Sequence, residues 1–237
     1  MFVSAACFGG GDKGVEPTPS IFTVAPWTGT EEYSYNLTRR GESPGTCLLK
    51  TEPAADGRTK LSRLCGKDEF RDDGFATVDS ATLQPFDAVR VFSDSKQNKR
   101  TTYTNSYGPE TVEFKADVNG DISQTTRDLP VANKEVPRPA WYDDESGLWL
   151  ARGIELREGF ETEYTLVINA GQPRVHDVEV SVLSKEKVSV PAGDFEAWKV
   201  RYRRGGSVNY LWIEAAAPNR LIRAAIEDVT YELKTPG

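Results

Sequence analysis

The chain is poor in the groups that most enzymatic chemistry draws on. Its 237 residues include one histidine, His176, one methionine, and three cysteines, Cys7, Cys47 and Cys65. A Ser-His-Asp relay needs a histidine as its base, and a transition-metal site needs several nitrogen or sulfur donors, so neither is expected. His176 and Asp177 are adjacent in a strand-like run, where neighbours point to opposite faces, so Asp177 cannot orient the ring and His176 reads as an exposed strand residue. No apolar run approaches the roughly 20 residues of a spanning helix, and no glycine-rich phosphate cradle sits between a strand and a helix. The densest basic cluster, Arg201–Arg204, reads as a solvated strand face beside a turn. With 29 Lys and Arg against 36 Asp and Glu, a net charge of -7, nucleic acid is not an expected partner.

What the chain does have is alternation. Trp198, Val200 and Tyr202 alternate with Lys199, Arg201 and Arg203, and Val208, Tyr210 and Trp212 alternate in the next run. This is the period of half-buried strands, and Gly205-Gly206 supplies a tight turn between them. Further short runs rich in Val, Thr, Tyr and Phe lie at 75–83, 86–92, 100–106, 110–116, 161–169, 175–183 and 229–233, with Asn-Gly and Gly-Pro turns between several of them. The expected class is mainly β, an antiparallel meander. One helix is expected over Asp143–Arg152, its acidic start complementing the helix dipole and Leu148, Trp149 and Leu150 burying it against the sheet. The acidic groups Asp68, Glu69, Asp72 and Asp73 read as a solvated loop, and Asp143, Asp144 and Glu145 as the helix start, rather than as hydrolytic carboxylates.

The domain organisation follows from the punctuation. Residues 1–26 hold Gly9-Gly10-Gly11, Pro17, Pro19 and Pro26 without periodicity, and read as a truncated signal remnant and flexible tether; residues 27–235 read as a single antiparallel β domain, a half-barrel on the resemblance given below. Ser4-Ala5-Ala6-Cys7 looks like the end of a bacterial lipoprotein signal, although the basic region and the leucine three before the cysteine are missing. Either a longer signal precedes Met1 or Cys7 is a tail thiol; the expectation taken forward is a lipid anchor at Cys7, holding the protein on a membrane surface rather than in it. A hairpin centred on Asp56-Gly57 sets Cys47 opposite Cys65, within disulfide reach, which calls for an oxidising compartment. Two buried free thiols are the alternative.

Several phrases carry a family resemblance: Gly29–Tyr35, Glu145–Leu150 with Gly159, Val188–Val200 (its VPAGDF the most specific), Trp212–Arg223 and Tyr231-Glu232-Leu233. Across residues 27–235 the chain resembles a family of exported bacterial β-proteins labelled a domain of unknown function, with a fold similar to the LolA/LolB-like lipoprotein-carrier half-barrel. The resemblance implies a strongly curved antiparallel sheet wrapped around one short central helix, with an apolar concave face and no catalytic residues.

The functional expectation is a non-enzymatic, exported envelope lipoprotein that binds a lipid or other amphiphile. Trp141, Trp149, Trp198, Tyr202, Tyr210, Trp212 and Tyr231, with Tyr142 nearby, concentrate in the second half and are expected to line the concave face. No cofactor is expected, and the protein reads as a monomer. The alternative is a structural or partner-binding envelope protein whose barrel is filled, with an exposed sheet edge.

Overall fold

The computed structural model describes residues 20–129, 140–168, 170, 171 and 173–235. Among the described residues fifteen strands form one sheet: β1 (Glu31–Arg39), β2 (Glu42–Pro53), β3 (Arg58–Lys67), β4 (Phe70–Asp79), β5 (Pro85–Asp94), β6 (Lys99–Tyr107), β7 (Thr111–Val118), β8 (Asp121–Asp128), β9 (Trp141–Asp143), β10 (Glu161–Ile168), β11 (Arg174–Val190), β12 (Gly193–Arg204), β13 (Ser207–Glu214), β14 (Leu221–Ile226) and β15 (Val229–Thr235). They are ordered β8-β7-β6-β5-β4-β3-β2-β1-β15-β14-β13-β12-β11-β10-β9. Two meanders are thus joined where the last strand pairs antiparallel with the first, and the short β9 adds a parallel edge to β10. The sheet is curved and unclosed.

Alternation puts every second side chain of many strands on the concave face: Tyr33, Tyr35 and Leu37 on β1, Leu49 and Thr51 on β2, Val178, Val180 and Val182 on β11. Asp56 and Gly57 both take positive φ at the β2–β3 turn, the geometry of a tight hairpin. Cys47 then pairs directly with Cys65 and Leu48 with Leu64, and the two cysteines form a disulfide.

Several boundaries differ from expectation. The helix expected over Asp143–Arg152 is shorter: a 3-10 turn at Asp144–Ser146 runs into one turn of α-helix, α1 (Gly147–Leu150), while Asp143 ends β9 and caps the turn by accepting the Glu145 N–H. The domain begins before Trp27, because Ile21 and Phe22 are buried and Thr23 donates its N–H to the Gly153 carbonyl. Of the signal remnant and tether expected over 1–26, residues 1–19, with the anchor at Cys7, lie outside the described residues. The segment expected as a charged loop at 66–74 turns only at Asp68-Glu69; from Phe70 it is strand β4.

β4 tolerates its charges because they are answered from neighbouring strands. Arg63 on β3, Gly74 on β4 and Arg90 on β5 are in register across the concave face. The Glu145 carboxylate comes down over Gly74, accepting from Arg63 Nη2 at 3.1 Å, with Arg90 Nε 3.6 Å away. Asp72, two residues along β4, accepts from Arg63 at 3.2 Å and from Arg90 at 2.9 and 3.0 Å. A Cβ on Gly74 would lie 1.8 Å from Glu145 Oε2, so glycine is needed for this approach.

Side chains of β6 and β7 meet those of β9 and β10 across the opening of the sheet. Tyr107 of β6 stacks on Trp141 of β9 with ring centres 5.2 Å apart, and Val112, Phe114, Leu129 and Val167 form a small second core beside them. Tyr107 and Asn105 both donate to the carboxylate of Asp143, Asn105 at 2.7 Å.

Gly74→Ala is expected to push Glu145 off Arg63 and to lower stability by about 3–5 kcal/mol, the scale of breaking a buried ion pair. Urea unfolding would measure it, and a variant within about 0.5 kcal/mol of the parent would remove the pair from any structural role.

Candidate functional site

A cavity of about 590 Å³ opens on the concave side, between the 3-10 turn with α1 and the strands of the second meander. Its apolar wall is made by Leu148, Tyr164, Leu166, Ile168, Val178, Tyr202, Leu211, Ile226 and Tyr231. Leu148 comes from α1 and the rest from β10, β11, β12, β13, β14 and β15, on positions that share one face of the sheet. The opposite wall is ionic, with Arg63, Arg90, Asp144 and Glu145. Three hairpin tips contribute to the mouth: the end of β10 and start of β11 with Ala170, Arg174 and His176; the β12–β13 turn with Arg204, Gly205, Gly206 and Ser207; and the β14–β15 turn with Glu227.

The ionic wall is electrically settled. Arg63 is buried, which opposes its charge, but Glu145 and Asp72 together hold it firmly protonated. Asp72, though its own burial works the other way, is held below the usual carboxylate range by Arg90 and Arg63. The mouth differs. Arg204 has its nearest carboxylate, Glu227, 3.6 Å away on an exposed turn, and burial together with Arg204 and Arg174 pushes the His176 imidazole down. The Tyr202 hydroxyl is buried in the wall and has no hydrogen-bond partner among the described residues.

The expected aromatic lining is redistributed. Tyr202 and Tyr231 do line the cavity. Trp149 is 2% exposed and donates its indole N–H to Thr51 Oγ1 at 2.8 Å, so it plugs α1 into β2. Trp141 belongs to the seam with Tyr107, and Tyr142 donates or accepts at Ser20 Oγ, 3.0 Å away. Tyr210 and Trp212 flank cavity-lining Leu211 and therefore face outward, where Lys199 lies 5.0 and 5.3 Å from their rings and Arg223 5.4 Å from Trp212. Trp198 is half-buried under Lys185 Nζ at 4.7 Å and does not reach the cavity. Of the seven, five lie off the cavity: Trp141 and Trp149 pack against other elements, and Trp198, Tyr210 and Trp212 lie under cationic side chains.

Several polar residues lie elsewhere than the sequence suggests. His176 is half-buried in the cavity wall rather than exposed, and Arg204 turns inward from its solvated run. The two acidic groups read as a loop and a helix start converge, Asp72 with Glu145, on Arg63. The one usable signal was the arginine: Arg63 falls on the buried face of an otherwise apolar alternation, Leu61, Arg63, Cys65, and a buried arginine calls for carboxylates.

At the seam, burial pushes the Asp143 carboxyl up to about 7; the hydrogen bonds from Tyr107, the Glu145 N–H and Asn105 oppose that, and the nearby Glu145 charge adds to it.

A family model described as "Protein of unknown function (DUF3108)" matches residues 54–233. A search of curated proteins found no match. Among solved structures, the chain is similar to one from Bacteroides fragilis described as a "putative exported protein with YmcC-like fold", at 13% identity over 92% of this chain and 99% of that one, TM-score 0.32. It is also similar to a "putative lipoprotein" from Parabacteroides distasonis, at 10% identity over 91% and 98%, TM-score 0.32.

An acid whose folded pKa is raised stabilises the fold fully below its unfolded value and loses that contribution as pH rises through the folded one. For Asp143 the window runs from about 4, the ordinary value, to about 7. Asp143→Asn mimics the neutral form, so the stability of the parent is expected to fall more steeply than that of the variant between pH 4 and 7.5. Equal slopes of melting temperature against pH would refute the assignment.

Proposed function

We propose that this chain, which belongs to the DUF3108 family of proteins of unknown function, is a non-enzymatic binding protein of the bacterial cell envelope that holds an amphiphile in the concave cavity of its sheet. The observation that carries the reading is the cavity itself. Its volume, about 590 Å³, lies within the range of roughly 300–1,000 Å³ typical of small-molecule sites. One wall offers nine apolar or aromatic side chains, against which an alkyl chain gains about 25 cal/mol per Å² of apolar surface removed from water. On this reading the half-barrel works as it does in LolA/LolB-like carriers, by sheltering acyl surface from water.

Export is part of the proposal. The Cys47–Cys65 disulfide persists in an oxidising compartment, and a lipid anchor at Cys7 would place the domain at a membrane surface as a monomer. A second reading, a partner-binding scaffold, is favoured by one observation: β8 is exposed along its whole length and pairs, among the described residues, only with β7.

Titration with N-phenyl-1-naphthylamine, an apolar fluorophore, is expected to show saturable binding at one site per chain. Ile226→Trp, which fills the cavity from a half-buried position, is expected to weaken it about tenfold. Fluorescence that rises without saturation, or that is indifferent to Ile226→Trp, would move the function to the β8 edge.

A further inference from the structure

The cavity is graded along its length, and the gradient specifies a head group. On β10 the inward residues run Tyr164, Leu166, Ile168, and on β11 their register partners run Val178, His176, Arg174. Beside them β12 presents Tyr202 and then Arg204. Each strand therefore becomes more polar or more exposed toward the hairpin tips, and the polar groups are of one sign. Arg204 and Arg174 both act electrostatically on His176, so the three gather at one place. The carboxylates elsewhere in the wall, Asp144 and Glu145, are already turned to Arg63 and Arg90, and among the described residues Glu227, on its exposed turn 3.6 Å from Arg204, is the one acid lining the mouth. In a chain of net charge -7 such a positive mouth runs against the overall balance. The Tyr202 hydroxyl, buried and without a partner among the described residues, adds a donor just inside it. A buried hydroxyl without a partner is costly, and a ligand oxygen there would remove the cost.

The geometry points to a single-chain anionic amphiphile as the ligand, its carboxylate or phosphate held at the mouth by Arg204, Arg174 and His176, with Tyr202 donating to a head-group oxygen and the alkyl chain lying against Leu166 and Leu211. This rests on the amphiphile reading above and narrows it to one class. Guanidinium-to-oxyanion hydrogen bonds are about twice as strong as neutral ones, which is enough to separate charged from uncharged heads on the same chain.

The test is displacement of bound N-phenyl-1-naphthylamine from the full chain by four probes: dodecanoate, dodecyl phosphate, dodecanol and inorganic phosphate. Dodecanoate and dodecyl phosphate are expected to act at concentrations about tenfold lower than dodecanol, and inorganic phosphate alone not at all. In the double variant Arg174→Gln, Arg204→Gln the advantage of the anions is expected to shrink to under about threefold while dodecanol is unchanged. Tyr202→Phe, which removes only the hydroxyl, is expected to weaken dodecanoate about threefold, with far-UV circular dichroism confirming that each variant is folded. If dodecanol matches dodecanoate, the head-group inference fails while the amphiphile reading stands. If inorganic phosphate displaces the fluorophore as well as dodecyl phosphate does, the site is one for free anions and the inference is overturned. If the fluorophore does not bind at all, both readings fall together.

Discussion

Arg63 carries a permanent charge into the interior of a sheet, and the way that charge is answered determines where everything on the concave side can go. A guanidinium out of water needs carboxylates at hydrogen-bonding distance, and a single neighbour on the sheet does not suffice. Asp72 supplies one and Glu145, 82 residues away in sequence, supplies the other. Because Glu145 sits in the 3-10 turn before α1, this bond fixes that turn over β3, β4 and β5. Gly74 lets it settle there. With the turn held to the first meander and Trp149 locked to Thr51, the concave face of the second meander is left partly uncovered. The cavity is the remainder of that arrangement.

The strands were legible in the sequence wherever apolar residues alternate with polar ones. They were illegible where the alternating partner was a charge or a glycine. β4 begins Phe70-Arg71-Asp72-Asp73-Gly74, which has no apolar period although every second residue faces inward, and β8 has little to bury, so composition gave it nothing to reveal. The disulfide register was readable because both cysteines sit symmetrically about one Asp-Gly turn. The pairings that build the site cross from one meander or edge to another, and no local period encodes them. The same holds for the aromatics. Their clustering in the second half was real, but which face of β13 receives Trp212 depends on register, and one residue of offset sends a side chain from cavity to solvent.

The polar residues lying on apolar periods proved the better guide. Arg63 and His176 each occupy a position that alternation assigns to the inside, and each contributes to the cavity wall. A ring fits many interiors, whereas a buried charge fits only the one that answers it.

The seam between Tyr107, Asn105, Trp141 and Asp143 has a further consequence. In a closed barrel the bore follows from strand number and stagger, quantities that change only in whole steps. Here no ladder of amides joins the two margins among the described residues, and there a phenol, an indole and a carboxyl reach toward one another across the gap. Calibre in this architecture is a matter of a few side chains, and descendants of the chain can adjust it by substitution without gaining or losing a strand.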